Sequence, residues 1–335
     1  MLQVLKSKEC SHKMMKATAK APANIAFIKY WGKRDEKLRL PANSSVSMNL
    51  SDAFTITSVE FDKKLKRDNF SLNGVVAKRE ETDRISKHID LIRSIAKIKT
   101  PAMVVSKNNF PKGAGIASSA SGFAALTVAA SKAAGLSLSE KELTILARLG
   151  SGSACRSIPD GFVEWEMGNS SEKSYAYSLY SSNYWNIYDL IVIVGEGSKK
   201  VGSTEGHSIA ESSPFYKTRI MGMEKKIKEI TLAMKNKNFT KFGEIIEAEA
   251  INMHTVMMTS VPPLYYWLPE TLRVMTRVVE LREKGIECYF TIDAGPNVHV
   301  ICEGKNVLKL KRKLLSINGI KKILVNKVAD GARLI

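Results

Sequence analysis

Hydrophobic residues alternate with polar ones in some segments of the chain and recur at helical spacing in others. FTITSVEF, residues 54–61, shows the alternation of a strand with one buried face. YDLIVIVG, residues 188–195, is almost wholly apolar, which predicts a strand buried on both faces. Between residues 80 and 98 the helical spacing is carried by four isoleucines, Ile85, Ile89, Ile92 and Ile95. The pattern therefore predicts a mixture of strands and helices.

The order of these elements changes along the chain. In the first half, the Asn-Gly of SLNGVV predicts a tight turn within a meander, and a Ser-x-x-Glu capping box at Ser137 and Glu140 predicts a helix start. The second half predicts long helices, over residues 214–235, 239–259 and 268–284. We therefore predict an α+β protein with two domains, residues 16–184 and 185–335.

Composition and charge narrow the classes of function. The chain has 335 residues, 44% of them hydrophobic, and a formal net charge of +18 at pH 7. It is therefore long enough to bury two cores. The lysines are scattered along the whole chain and lack interleaved aromatic residues, which favours a solvated basic surface or small anionic substrates. We predict no nucleic-acid partner.

Cysteine usage and hydropathy predict the compartment. The cysteines show neither CxxC pairing nor metal-ligand spacing; they are Cys10, Cys155, Cys288 and Cys302. No apolar run reaches the roughly 18 residues that span a bilayer. The polar N-terminal segment lacks the apolar core of a signal peptide. These features predict a cytoplasmic protein with no membrane partner and no protein metal site.

The segment PKGAGIASSASGFAAL, residues 111–126, joins a glycine-rich loop to a helix start. Gly113 and Gly115 let the backbone approach an anion closely, and Ser118 and Ser119 suit the start of the Ala-rich helix. A helix start offers unpaired N–H groups and partial positive charge, which suit a phosphate chain. Taken alone, the segment fits either a phosphate site or an ordinary strand-to-helix loop.

Four separated segments, taken in order, carry a resemblance to a known family. They are KYWGKRDEKLRLPANSSVSMNL, FPKGAGIASSASGFAAL, GSGSACRSIPDGFVEW and FTIDAGPNV. The ordered set closely resembles the mevalonate diphosphate decarboxylases of the GHMP kinase superfamily, over about residues 16–330. The resemblance implies a two-domain GHMP kinase-like fold with the active site in the cleft between the domains, and a homodimer.

The same resemblance implies a reaction. ATP, with Mg²⁺ held largely by its phosphates, phosphorylates the tertiary 3-hydroxyl of mevalonate 5-diphosphate. Loss of the new phosphate together with CO2 then gives isopentenyl diphosphate. A poor leaving group is thereby converted into one that can depart, and an acidic side chain is needed beside the hydroxyl as a base or an orienting group.

Three catalytic residues follow from the resemblance. Asp293 in TIDAGPN matches the catalytic aspartate, although an Asx-turn before Gly-Pro is the alternative for this residue alone. Arg156 in SGSACRS matches the arginine that holds the substrate carboxylate, and a helix-end arginine is its alternative. Lys29 matches the active-site lysine beside the aspartate. Related mevalonate 3-kinases lack this set, so its presence favours decarboxylation over phosphorylation alone.

The resemblance also implies binding residues. The substrate contacts are Tyr30, Lys33, Ser151, Ser153, Ser203 and His207. The nucleotide or phosphate contacts are Lys112, Gly113, Ala114, Gly115, Ser118 and Ser119. His254 is expected to make a structural contact rather than a catalytic one.

Departures from the family pattern leave the substrate open. Ile158, Pro159 and Asp160 replace two glycines and an aromatic residue, and an extra carboxylate near an anion is unfavourable unless it is turned away or paired. His207 replaces a methionine, and together with Lys112 it offers added positive charge. We expect the ATP-dependent diphosphate enzyme. An archaeal-type mevalonate phosphate decarboxylase is the alternative, acting on the 3,5-bisphosphate without ATP or on the 5-monophosphate.

Overall fold

The computed structural model describes residues 15–77, 79–110, 118–195 and 202–335. Four of the expected phosphate contacts lie outside these ranges, namely Lys112, Gly113, Ala114 and Gly115. The strands are β1 (Lys16–Ile28), β2 (Lys33–Asp35), β3 (Leu40–Pro41), β4 (Ser45–Phe61), β5 (Asn69–Leu72), β6 (Val75–Val76), β7 (Ala102–Asn108), β8 (Phe162–Trp165), β9 (Ala176–Tyr180), β10 (Ile187–Ile193), β11 (Tyr289–Thr291), β12 (Val298–Glu303), β13 (Lys322–Lys327) and β14 (Arg333–Leu334). The helices are α1 (Arg79–Ala96), α2 (Ser118–Ala133), α3 (Glu140–Gly150), α4 (Ser203–Ile209), α5 (Tyr216–Met221), α6 (Met223–Lys235), α7 (Phe239–Met258), α8 (Pro269–Glu283) and α9 (Val307–Leu315).

The larger sheet is built on two long antiparallel strands, β1 and β4. The sheet has the order β14-β1-β4-β7-β5-β6, and β8 joins the first part of β4 and carries β9. From Ala53 to Phe61, buried side chains alternate with partly exposed ones, as expected where one face packs on a core. Helices α1 and α2 share the apolar cluster of that face, which includes Val59, Ile92 and Ala129.

The smaller sheet has the order β11-β12-β10-β13, with every pair antiparallel. Adjacent residues of a strand face opposite sides, and both sides of β10 are covered. Leu190 and Val192 pack with residues of α8 and α9, whereas Ile191 and Ile193 pack with residues of α6, α7 and β1. The almost wholly apolar sequence of β10 is explained by these two cores, and the second of them joins the two sheets.

Two large sheets with helical layers, together with a two-stranded sheet of β2 and β3, confirm the α+β class. The last strand, β14, returns to the larger sheet and pairs with β1 at Ala19 and Lys20. The division of the chain at residues 184 and 185 stays a prediction. No helix within the described ranges is both long and apolar enough to cross a membrane.

Three local predictions need correction. The capping box is at Ser139 and Glu142 rather than at Ser137 and Glu140, since Leu136 and Leu138 pack on the apolar cluster and the chain before Ser139 is not helical. The helix predicted over 214–235 is two helices, α5 and α6, which meet at a glycine. The Asn-Gly turn forms between β5 and β6, but β5 then pairs in parallel with β7 instead of continuing a meander.

Candidate active site

Lys29 and Asp293 form an ion pair between the two sheets. Lys29 directly follows β1, and Asp293 lies in the connection between β11 and β12. Lys29 Nζ is 2.7 Å from Asp293 Oδ1. The lysine side chain is 1% exposed, whereas the aspartate side chain is 27% exposed. The pair therefore presents an accessible carboxylate that is backed by a buried ammonium group.

Burial and neighbouring charge act in opposite directions on this pair. Burial raises the pKa of Asp293, but the Lys29 ammonium, His299 and Arg156 lower it, and the net pKa lies below the ordinary value. Burial lowers the pKa of the Lys29 amine, and Asp293 opposes that shift. Asp293 is thus an ionised carboxylate at neutral pH.

His254 supports Asp293 from helix α7. Its Nε2 lies 3.2 Å from the main-chain oxygen of Asp293. Burial lowers the pKa of His254 to about 3, so the ring is neutral and donates its N–H to that oxygen. This is the structural contact that the sequence predicted for His254.

Arg156 lies in a 3-10 helix, Gly152–Ser157, that follows α3. Its Nη1 donates to Ser45 Oγ at 2.8 Å and its Nη2 donates to Asn24 Oδ1 at 3.3 Å. The guanidinium is buried, and it lies in the last turn of this short helix, but its hydrogen bonds go to neutral side chains rather than to helix carbonyls. Among the described residues no carboxylate pairs with it. Such a cation is suited to an external carboxylate.

His207 links α4 to the loop after β1. Its ring lies beside the rings of Tyr30 and Trp31, with centroids 4.1 and 4.5 Å away. His207 Nδ1 accepts the Gly32 N–H at 3.0 Å. Burial lowers the pKa of His207 well below its ordinary value, and Lys33 adds to the shift. The ring is therefore neutral, carries its proton on Nε2 and adds no positive charge to the site.

Two further expected contacts lie at element starts. Lys33 opens β2, and its Nζ donates to Glu36 Oε2 at 2.6 Å. The lysine side chain is 2% exposed, whereas the glutamate side chain is 61% exposed. The ion pair therefore joins a buried ammonium group to a carboxylate at the surface. Ser203 is the first residue of α4 and is exposed.

A cavity of about 250 Å³ lies between the start of α2 and the edge of the larger sheet. Ser118 and Ser119 line it from α2, and residues from α1, β5 and β7 complete it, among them Arg84, Leu72 and Ser106. Ser119 Oγ lies 3.3 Å from Ser151 Oγ. Ser151 directly precedes the 3-10 helix that contains Ser153 and Arg156. The cavity is thus connected by side chains to the arginine segment.

The extra carboxylate of Asp160 is turned away and paired. Asp160 is exposed, and its Oδ1 accepts the Gly331 N–H at 2.6 Å. Its main-chain oxygen accepts from Ser178 Oγ. The departure at Ile158, Pro159 and Asp160 therefore adds no negative charge beside Arg156.

Sequence reasoning missed the residues that hold the three candidate catalytic residues in place. Asn24 and Ser45 accept hydrogen bonds from Arg156. Asn24 could have been found from the sequence, because it is a polar residue within the buried strand β1. Asn43, Arg219 and Glu249 contact the main chain of Lys29. Arg219 and Glu249 lie far away in the sequence and carry no motif.

Fold and site together define an enzyme of the GHMP kinase class, with a cavity at a helix start and an ammonium–carboxylate pair between its sheets. The comparisons with known proteins agree. A diphosphomevalonate decarboxylase-like N-terminal domain matches residues 21–176, and a mevalonate 5-diphosphate decarboxylase C-terminal domain matches residues 189–332. The chain belongs to the diphosphomevalonate decarboxylase family.

Individual relatives are similar over nearly the whole chain. The diphosphomevalonate decarboxylase of Debaryomyces hansenii is 36% identical over 314 residues, which cover 88% of this chain and 81% of that protein. The crystal structure of mevalonate diphosphate decarboxylase from Staphylococcus aureus is 41% identical, with a TM-score of 0.92, and the match covers 98% and 100% of the two chains. A structure described as MDDEF in complex with MVAPP, AMPPCP and magnesium is 42% identical, with a TM-score of 0.91 and 96% and 99% coverage.

These relatives indicate which phosphorylated mevalonate the family uses. The Debaryomyces hansenii protein is fungal, and its name specifies the diphosphate. The same name is carried by the enzymes of Candida albicans and Saccharomyces cerevisiae. The comparisons thus give the archaeal phosphate-level subtype no support.

Proposed function

We propose that this chain converts mevalonate 5-diphosphate and ATP into isopentenyl diphosphate, CO2, ADP and phosphate. The observation that carries the proposal is the contact of Lys29 with Asp293, which come from separate segments of the chain. The charge of Arg156, from a third segment, also lowers the pKa of Asp293. A similar protein binds MVAPP, the nucleotide analogue AMPPCP and magnesium, which supports the same pair of substrates here.

In this proposal Asp293 acts on the 3-hydroxyl of the substrate. Its carboxylate is ionised and partly exposed, so it can accept the hydroxyl hydrogen while the oxygen attacks the terminal phosphate of ATP. Lys29 Nζ, 2.7 Å away, offsets the negative charge that builds up as this phosphate is transferred and later departs.

Arg156 holds the substrate carboxylate. A planar guanidinium can bind both oxygens at once and so fix the carbon–carbon bond that breaks. Its contacts with Ser45 and Asn24 fix the plane of the fork, and no protein carboxylate among the described residues competes for it. Departure of the 3-phosphate then draws the electrons of that bond into the new alkene, and CO2 leaves.

The remaining expected residues bind phosphate groups and the nucleotide. Ser118 and Ser119 line the cavity at the start of α2, which suits the nucleotide, and Lys112, Gly113, Ala114 and Gly115 precede it in sequence. Mg²⁺ accompanies the ATP phosphates and is held mainly by them and by water. The diphosphate of the substrate is assigned to Tyr30, Lys33 and Ser203, with His207 beside it. The hydroxyls of Ser151 and Ser153 assist substrate binding.

The neutral state of His207 weighs against a more highly phosphorylated substrate. The 3,5-bisphosphate alternative was motivated by added positive charge at Lys112 and His207. Burial keeps His207 uncharged, so it offers at most a hydrogen bond. The 5-monophosphate alternative gains no feature of its own.

One experiment separates these substrates. CO2 and phosphate release is measured from mevalonate 5-phosphate, 5-diphosphate and 3,5-bisphosphate, each with and without Mg-ATP. We expect turnover of the 5-diphosphate and only with ATP. Turnover of the 3,5-bisphosphate without ATP would replace the proposal with the ATP-independent reaction, and ADP formation without CO2 would replace it with a kinase.

Three broader features are proposed alongside the reaction. Two domains divide near residues 184 and 185, in line with the two sheets. The chain forms a homodimer, as its family resemblance implies, and sedimentation analysis tests that state. It works in the reducing cytoplasm, in agreement with three free cysteines among the described residues, Cys155, Cys288 and Cys302.

A further inference from the structure

The main chain of Lys29 is held by three side chains, which we call the Lys29 clasp: Asn43, Arg219 and Glu249. The Lys29 N–H donates to Glu249 Oε1 at 3.2 Å. The Lys29 carbonyl oxygen accepts from Asn43 Nδ2 at 3.0 Å and from Arg219 Nη2 at 3.1 Å. Both peptide groups that flank the Lys29 Cα are therefore fixed.

The members of the clasp also hold one another. Arg219 Nη2 pairs with Glu249 Oε1, and Arg219 Nη1 donates to Asn43 Oδ1 at 3.3 Å. Lys226 Nζ binds the other carboxylate oxygen of Glu249 at 2.6 Å. Arg219 and Glu249 side chains are 0% exposed. Because the three side chains also bond to one another, they leave the main chain of Lys29 little freedom to move.

The clasp joins the parts of the chain that supply the catalytic pair. Arg219 lies on α5 and Glu249 on α7, and α7 also carries His254, which contacts the main-chain oxygen of Asp293. Helix α7 therefore holds the backbone of both members of the pair, Lys29 through Glu249 and Asp293 through His254. A shift of either backbone would change the geometry of the contact between Nζ and Oδ1.

We propose that Arg219 and Glu249 are positioning residues that keep the Lys29 ammonium on Asp293 during the reaction. Their side chains are fully buried and contact the main chain of Lys29, so they act through Lys29 rather than on the substrate. This inference rests on the proposed function, since it explains how the proposed catalytic pair is kept in register.

Several charged groups face Asp293 and set its protonation. Its neighbours are Lys29 after β1, Arg156 in the 3-10 helix, His299 on β12 and Asp189 on β10. Asp189 pairs with His299 at 2.6 Å. The ring of His254 on α7 also faces Asp293, but it is neutral. Of these, Lys29 lowers the pKa of Asp293 most strongly. Displacement of Lys29 therefore raises the pKa of Asp293.

The chain offers a matched control on the same helix. Glu247 on α7 accepts from Arg282 and from the main-chain N–H of Phe290, and Arg282 also donates to the main-chain oxygen of Cys288. The Arg282–Glu247 pair thus repeats the contacts of the Arg219–Glu249 pair, but it contacts neither Lys29 nor Asp293.

The test compares two double variants, Arg219→Met with Glu249→Leu and Arg282→Met with Glu247→Leu. Replacing both partners removes the two charges that are 0% exposed, which favours folding. Lys226 loses its bond to Glu249, but its side chain is 26% exposed and can reach water. Circular dichroism checks the fold of both variants. We expect the first variant to lose kcat by at least about tenfold, with a change in KM below about threefold, because the clasp acts on the transition state. We expect the control to keep kcat within about threefold.

Two readouts separate positioning from general structural damage. In a Lys29→Ala background, the clasp variant should change kcat by less than about twofold, because its effect passes through Lys29. In the presence of Lys29, it should move the acid limb of the kcat profile upward by about one pH unit or more, because the carboxylate loses a nearby cation. The pH profile decides the question where the Lys29→Ala enzyme is too slow to measure.

If the double variant of Arg219 and Glu249 fails to fold, single variants at Glu249 provide the test. Glu249→Gln keeps an oxygen that accepts the Lys29 N–H, and we expect it to retain kcat within about threefold, whereas Glu249→Ala should not. An unmoved acid limb, an equal loss in the control, or a full loss in the Lys29→Ala background would each overturn the inference. Wild-type turnover tests the proposed reaction separately, so the two failures are distinguishable.

Discussion

The Arg156 guanidinium is buried, and within the described ranges its hydrogen-bond acceptors are neutral, Ser45 and Asn24. Burial lowers its pKa, and the charge of Asp293 opposes the shift. A buried cation without an adjacent anion is costly unless a ligand supplies one. The free-energy cost of burying this cation is therefore consistent with a site that binds an anionic group.

We expect Arg156→Lys to lower kcat/KM for CO2 release by at least about tenfold, or about 1.4 kcal/mol of transition-state stabilisation. Lysine keeps the charge but loses the planar fork that binds both carboxylate oxygens. Initial rates with mevalonate 5-diphosphate and Mg-ATP measure the effect.

Arg148→Lys is the matched control for this substitution. Arg148 is also a buried arginine with neutral acceptors, the main-chain oxygens of Ser171 and Ser174. We expect it to lower the melting temperature but to change kcat/KM by less than about threefold. Equal losses in the two variants would mean that Arg156 is structural.

Helix α7 packs closely on β11 at Gly243. A Cβ placed at Gly243 would lie 1.9 Å from Cδ2 of the Tyr289 ring. The helix therefore approaches the strand more closely than any side chain at this position allows. The same helix carries Glu249 and His254, so this packing also fixes two supports of the catalytic pair.

We expect Gly243→Ala to lower the free energy of unfolding by about 1–3 kcal/mol, because the ring or the helix must move. Gly122→Ala is the control, since it also lies inside a helix but its added Cβ would meet no atom within 4 Å. It should raise the free energy of unfolding by about 0.5–1 kcal/mol. Urea unfolding of both variants is the measurement, and a neutral result at Gly243 would contradict the close packing.

Sequence patterns predicted elements well where the signal was local. The isoleucine spacing gave α1, and the apolar run gave β10, because each reflects contacts of one face. The parallel pairing of β5 with β7 and the return of β14 to β1 were missed, because pairing partners are chosen by the tertiary fold.

The candidate site shows the same limit. Lys29, Arg156 and Asp293 stand in motifs. The structure pairs Lys29 with Asp293, and the charge of Arg156 lowers the pKa of Asp293. Arg219 and Glu249 lie 190 and 220 residues from Lys29, and each alone looks like an ordinary charged residue of an amphipathic helix. Only the folded chain shows that they contact the main chain of Lys29.

Within the described ranges, burial strongly disfavours the charged forms of three histidines, namely His88, His207 and His254. Burial lowers the pKa of His88 and of His254 to about 3. In the unfolded chain each returns to about 6.5. Between these values the unfolded state binds protons that the folded state does not, so stability present above pH 6.5 is lost as the pH falls toward 3.

We expect His88→Gln to reduce the acid dependence of the free energy of unfolding by up to about 1.4 kcal/mol per pH unit between pH 6 and 4. The Gln amide can still donate to Thr127 Oγ1, as His88 Nε2 does at 2.8 Å. Urea unfolding at several pH values compares the slopes of the two proteins. Identical slopes would show that His88 titrates normally in the folded state.

The most direct test of the catalytic assignment is the rate of CO2 release by Asp293→Asn, with mevalonate 5-diphosphate and Mg-ATP at saturation. Asparagine preserves the size of the side chain but removes the charge that pairs with Lys29 and accepts the hydroxyl hydrogen. We predict a loss of at least about 100-fold relative to the unmodified chain, the usual contribution of a positioned acid or base. A rate within about tenfold of the unmodified chain would contradict the central role of Asp293.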